Sequence, residues 1–328
     1  MSSYIVSGRF RNVLTPVLGL AGLGLLAYLI TALGPGRIVA QLQGLGSVFP
    51  AVLFLTGAKY PLQAAGWRLV LPRHARPPWG ESISATITGD AVGYLTWAGP
   101  FTGEPLRALL IRGSVPVAAG IAAGAIERAT YNLTGALLVS VVLLVLFSAT
   151  HGLAVAGTVG SGLVVVGLAI VLRRRFRPSV TADVHLDGPP TIRTGFLRGP
   201  AALLDAAAEL WRNRRDVLPS VAILCLAQHA ILVGEAYLLL KALDGGTTLW
   251  TAFVFEAVTK IVNTAGIVVP GRLGVAEGGS AALAGALGFA ASHGLSLALM
   301  RRVRALVWGG VGLCLLPFQE ARARRPRF

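Results

Sequence analysis

Two stretches of this sequence carry groups able to do polar chemistry inside an otherwise apolar chain. The first is Pro270-Gly271-Arg272-Leu273-Gly274-Val275-Ala276-Glu277, which combines a helix breaker, two glycines and both signs of charge. The second is Gly99-Pro100-Phe101-Thr102-Gly103-Glu104-Pro105-Leu106-Arg107. Each is followed by an apolar segment that carries arginine, and Glu104 precedes Arg128 by the same spacing that separates Glu277 from Arg301. Guanidinium groups at Arg107, Arg128, Arg272, Arg301 and Arg302 suit a lipid phosphate, which they bind by charge-assisted hydrogen bonds. Carboxylates at Glu104, Glu127 and Glu277 suit three roles: pairing with those arginines, binding a cationic headgroup, or carrying a proton. Broken helix in a bilayer leaves backbone N–H and C=O groups without partners, so it survives only where protein buries it or where it lines a wet cavity.

The elements that must position these groups are membrane helices. The 328 residues are 54% hydrophobic and only 13% charged, against roughly 25% charged in soluble domains. Several apolar runs reach the roughly 20 residues needed to span a bilayer. The formal net charge of +15 comes mostly from arginines between these runs. Positive-inside topology and contact with anionic headgroups therefore account for it better than nucleic acid does. Cys225 and Cys314 both lie in apolar runs and the five histidines are scattered, so neither a metal nor another cofactor is expected.

Spans are predicted at about 13–33, 47–71, 115–147, 152–172, 217–243 and 304–318. Residues 81–113 and 250–299 hold the two breaks. Residues 178–216 form the one long polar stretch, whose helix-like spacing of apolar residues among arginines fits an interfacial helix. Further cavity-lining candidates are Lys59, Asp90, Arg112 and Glu235, with Glu256, Lys260 and Asn263. The last three sit at i, i+4 and i+7, on one helical face.

Arginine distribution decides the topology. If 81–97 crossed fully, the basic clusters after it would fall outside. If 81–113 instead enters and returns to the same side, and 250–299 does so from the other side, the basic loops and the C-terminal tail fall inside. The result is an all-α polytopic membrane protein with about six full transmembrane helices and two re-entrant helical hairpins. Residues 1–150 and 151–328 form an inverted repeat within one membrane domain, a recurring plan of transporters. The glycine pairs Gly89/Gly93, Gly99/Gly103, Gly120/Gly124 and Gly274/Gly278 would let helices pack closely around the hairpins.

The motifs Pro100…Gly103-Glu104…Arg107, Glu127-Arg128 and Pro270-Gly271…Gly274-Val275…Glu277 occur in an order and spacing that resemble a known family. This is the transmembrane domain of lysylphosphatidylglycerol synthases, with its stand-alone flippase-like relatives. The resemblance covers nearly the whole chain. Arg272 stands where the family usually has a second glycine, and Tyr131 where an Asp often follows the Glu-Arg pair. Members with synthase activity carry a separate soluble aminoacyl-transfer domain, and this chain ends about ten residues after its last span.

The resemblance therefore implies translocation, without synthesis, of a phospholipid or polyprenyl-phosphate-linked lipid between leaflets. The expected setting is the cell inner membrane, with both termini cytoplasmic. Membrane lipids are the expected partners, with a homo-oligomer or a lipid- or glycan-synthesis enzyme as further ones and no nucleic acid. The alternative class is a membrane enzyme or accessory subunit acting on lipid-linked glycans. No metal-binding Asp pair, nucleophile elbow or phosphate loop is found to support an enzyme.

Overall fold

The computed structural model describes residues 24, 27–96, 100–151, 210–266, 269 and 272–323. Most of the predicted first span, the whole 152–172 span and most of the 178–216 loop lie outside the described residues. So do Pro270 and Gly271.

Among the described residues there is no strand, and nine α-helices lie wholly within them, with further helical turns at 27–33 and 210–213. The nine are α1 (Pro35–Leu45), α2 (Phe49–Val70), α3 (Trp79–Leu95), α4 (Pro100–Leu110), α5 (Val117–His151), α6 (Leu218–Leu243), α7 (Leu249–Ala265), α8 (Val275–Ala286) and α9 (Ala291–Ala323). Two stretches, Val117–Leu146 and Arg215–Leu243, are long and apolar enough to cross a membrane. The α1–α2 pair, bent by 67°, adds a third if counted as one span. Two such spans in one chain, or three with the bent pair, make it a multi-pass membrane protein.

Backbone chemistry explains the breaks. Pro100 starts α4 with a residue that has no N–H to leave unbonded. α8 starts after Gly274, whose φ of 74° suits glycine. Arg272, just before it, also adopts positive φ, 53°. That conformation costs a non-glycine residue roughly 1–2 kcal/mol, which gives the physical reason for a glycine preference at this position.

Both breaks form hairpins. The arms α3 and α4 touch backbone to backbone: a Cβ added at Gly103 would sit 2.5 Å from the Gly89 carbonyl oxygen. The feet of this hairpin lie together, because Glu81 and Ser84 of α3 and Ile111 and Ser114 after α4 line one cavity of about 530 Å³, closed on its third side by α9. The second hairpin has its feet at the far end of α5, where Leu287 packs with Val142, Val254 and Ala257.

The helices pair in an ordered way. α2 and α6 run antiparallel, with Leu45 and Val52 against Leu239 and Leu240 at one end and Trp67 and Val70 against Val221 and Cys225 at the other. α3 packs along α9, and α7 packs along α5. The first of these contacts is tight enough that a Cβ on Gly312 would clash with Ala91 and the Ile87 carbonyl.

Two boundaries differ from the sequence expectation. The last helix starts at Ala291 instead of about 304, and the second hairpin correspondingly ends at Ala286. Arg301, Arg302 and Arg304 read as a boundary because charge ordinarily ends a span. In the fold each meets a buried carboxylate, so the helix runs through them.

Candidate functional site

Charged side chains that the apolar helices cannot expose to lipid converge in two interior groups. In the first, α2 supplies Lys59, α3 Asp90, α4 Glu104 and Arg107, and α5 Glu127 and Arg128. Arg128 Nη2 donates to Glu104 Oε1 at 2.8 Å and lies 3.8 Å from Asp90 Oδ1. Lys59 Nζ reaches Asp90 Oδ2 at 3.4 Å, so Lys59 faces the bundle interior. Arg107, only 2% exposed, lies 3.6 Å from Glu104 and 4.0 Å from Glu127. Its guanidinium stacks 4.0 Å over the Trp67 ring, a cation–π contact strengthened by burial. Trp67 is held in turn by its indole N–H, which donates to the Gly120 carbonyl at 3.0 Å.

Glycine makes room for the central pair. A Cβ on Gly124 would fall 2.6 Å from Glu104 Oε2, so α5 must lack a side chain there for Glu104 to meet Arg128.

In the second group, α6 supplies Glu235, α7 Glu256 and Lys260, and α9 Arg301 and Arg304. Arg301 bridges Glu235 at 3.0 Å and Glu256 at 2.7 Å. Lys260 also reaches Glu256, at 3.2 Å, and Arg304 pairs with the other oxygen of Glu235. Beside them Arg302 Nε donates to Glu277 Oε1 at 2.7 Å. Glu277 lies in the first turn of α8, where a carboxylate also suits the positive end of the helix dipole.

The two groups differ in charge balance. Lys59, Arg107 and Arg128 face Asp90, Glu104 and Glu127, three against three. Lys260, Arg301 and Arg304 face only Glu235 and Glu256. Arg272 adds a further cation and makes no ion pair among the described residues. It lies within electrostatic range of Tyr94 at the end of α3.

Arg304 ties the halves together. It lies within electrostatic range of Tyr60, Tyr94 and Tyr131, from three helices of the first half, and its buried Nε lacks a partner. Tyr131 meets Lys260, whose Nζ sits 5.6 Å from the ring centroid, and His229, at 4.3 Å between centroids. His229 Nε2 is 3.2 Å from Thr134 Oγ1 and 3.1 Å from the Tyr131 carbonyl.

Of the sequence candidates, the fold thus gathers Lys59, Asp90, Glu104, Arg107, Glu127 and Arg128 into one group. It gathers Glu235, Glu256, Lys260 and Arg301 into the other, with Glu277 and Arg302 alongside. Arg272 and Gly274 stand at the second hairpin's tip. Two candidates fall elsewhere. Arg112 donates to the Leu109 carbonyl at 3.0 Å and so caps α4 at the foot of its hairpin. Asn263 is half-buried, with no side-chain hydrogen bond among the described residues. Gln63, Trp67, Tyr60, Tyr131, His229 and Arg304 are site neighbours that sequence reading missed. Two of them left a signal: Arg304 follows Arg301 by three residues and so shares its helical face, and Tyr131 stands at a position of the Glu-Arg motif.

Comparison with curated proteins and with solved structures returns no match. A family model, described as Lysylphosphatidylglycerol synthase TM region, matches residues 13–312. Nearly the whole chain is covered, and the protein belongs to the lysylphosphatidylglycerol synthase transmembrane family.

Proposed function

We propose that this protein moves a phospholipid or polyprenyl-phosphate-linked lipid between leaflets by alternating access, with no bond made or broken. The single observation that carries this is the meeting of both halves around a net positive centre. Three cations, Lys260, Arg301 and Arg304, share two carboxylates there, with tyrosines of the first half around Arg304 and Arg272 at the tip of the second hairpin. One phosphodiester charge would neutralise that excess. In an interior of low effective dielectric such compensation counts far more than in water.

Alternating access needs two equivalent gates, and the packing supports a twofold plan. Exchanging α2 with α6, α3 with α7, α4 with α8 and α5 with α9 maps the α3–α9 contact onto the α7–α5 contact and returns the α2–α6 contact to itself. The pairs Glu104–Arg128 and Glu277–Arg302 correspond under the same exchange. We therefore read residues 1–150 and 151–328 as inverted repeats, with six full spans and two re-entrant hairpins. The face that bears Arg68 to Arg76, Arg214 and Arg322 would be cytoplasmic in the cell inner membrane. The cavity at the foot of the first hairpin would then admit a headgroup from that side. An enzyme of lipid or glycan synthesis would be the natural supplier of its substrate.

The test uses protein in liposomes with fluorescent lipids of several headgroups, and dithionite bleaching to follow their exposure. Bleaching of one anionic headgroup class is expected to accelerate with wild type. The Glu104→Gln, Glu277→Gln double variant, assayed on the fraction that elutes as wild type does, should lose at least tenfold of that rate. Folded wild-type protein that moves neither phospholipid nor polyprenyl-phosphate probes would overturn the assignment.

Arg272 gives a second check. Arg272→Gly relieves the positive-φ strain and should raise thermal stability by up to about 1 kcal/mol. If the guanidinium serves the phosphate, transport should fall severalfold in the same variant. Unchanged transport would leave Arg272 a tolerated departure from glycine.

A further inference from the structure

We propose a second phosphate site, separate from the central one, that holds an anionic lipid of the adjacent leaflet against Arg68, Arg73, Arg76 and Arg214 beside Trp79. The residues converge where α2 ends and the chain enters α6. Arg76 Nη2 and Arg214 Nη2 both donate to the Leu69 carbonyl oxygen, at 3.4 and 2.8 Å. Arg76 Nε also reaches the Leu71 carbonyl at 3.3 Å. Two guanidinium groups thus share one neutral acceptor. Arg68, next in sequence to Leu69, stacks its guanidinium 4.0 Å over the Trp79 ring.

Like charges gathered this way repel unless an anion joins them. Among the described residues no carboxylate makes an ion pair with Arg68, Arg73, Arg76 or Arg214. Glu81, beyond Trp79, reaches Arg322 at 3.8 Å, and Asp216 is exposed in the turn after Arg214 without an ion pair to the cluster. Burial, then the charges of Arg214, Arg73 and Arg68, lower the pKa of Arg76, which lies in the loop outside the membrane helices.

Donors are also left over. Arg68 Nε and Nη1 and Arg214 Nε are buried without a hydrogen-bond partner, and an unmade bond to a charged donor is costly. A phosphate oxygen fits such donors, and the planar guanidinium forks suit two-point contact with it. The source is a lipid because the neighbouring indole is 53% exposed, and tryptophan at the end of a membrane segment sits at headgroup depth. A bound lipid would clamp the ends of α2 and α6, the antiparallel pair at the centre of the fold, to the start of α3.

The experiment follows the thermal midpoint of the full-length protein in neutral detergent during titration with phosphatidylglycerol, phosphatidylcholine or inorganic phosphate. Phosphatidylglycerol is expected to raise the midpoint by several degrees, with no rise from the other two. Arg68→Gln combined with Arg73→Gln should cut the rise by at least half. Arg73→Gln alone, at an exposed position without ion pairs among the described residues, should weaken it while leaving the fold untouched. Arg37→Gln, on α1, and the Glu104→Gln, Glu277→Gln protein should keep the full rise, so this site and the transport assignment fail separately. An undiminished rise in the Arg68/Arg73 variants, or an equal rise with phosphatidylcholine, overturns the site. An equal rise with inorganic phosphate overturns the lipid as its occupant.

Discussion

A Glu235→Gln protein is expected to lose about 3–5 kcal/mol of stability, the usual cost of removing one partner from a buried ion pair. Glu235 is fully buried, and its two oxygens separately hold Arg301 and Arg304. Without that charge, three cations would share Glu256 alone. The expected readout is a thermal midpoint far below wild type in detergent, with much of the protein aggregating before it. Adding Arg304→Gln should recover a large part of the loss, because Arg301 keeps Glu256 at 2.7 Å and one cation leaves with the one anion. A double variant no more stable than Glu235→Gln would mean that the carboxylate serves packing and not charge balance.

Gly103→Ala is expected to open the first hairpin. The new methyl would fall 2.5 Å from the Gly89 carbonyl oxygen, a backbone atom that no rotamer change can move. Overpacking of this kind costs about 1–3 kcal/mol. It should also abolish most transport, because Glu104 follows directly and must reach Arg128 across α5. Gly234→Ala makes the contrast. Nothing lies within 4 Å of its added Cβ, and replacing a helical glycine typically gains about 0.5–1 kcal/mol. Its midpoint should therefore hold or rise. Equal behaviour of the two variants would show that the hairpin arms tolerate separation.

Among the described residues most of the helix layout was legible, because a bilayer imposes a length and a composition on every segment. Breaks were legible for a related reason: proline, glycine and charge are rare enough in apolar sequence to stand out. The start of α9 was not legible. Arg301, Arg302 and Arg304 end a span by composition, and only Glu235, Glu256 and Glu277, brought up from other helices, let the helix continue through them. Lys59 was equally undecidable until Asp90 appeared 3.4 Å away. His229 gave no warning either, since a lone histidine on an apolar helix looks the same whether it meets lipid or Thr134 and Tyr131.

By itself the sequence determined the membrane class, the family motifs and the two broken segments, because these depend on local composition and short spacing. Spacing also set Glu104 and Arg128 beside Glu277 and Arg301, a match that holds as an ion pair for the first two and not for the second. Only the tertiary structure decided which arginine each carboxylate holds. Glu277 takes Arg302, while Arg301 goes to Glu235 and Glu256. Adjacent helix residues point about 100° apart, so one position of difference selects a different neighbour. The surplus of positive charge around Arg304 follows from that selection, and no single segment of the chain contains it.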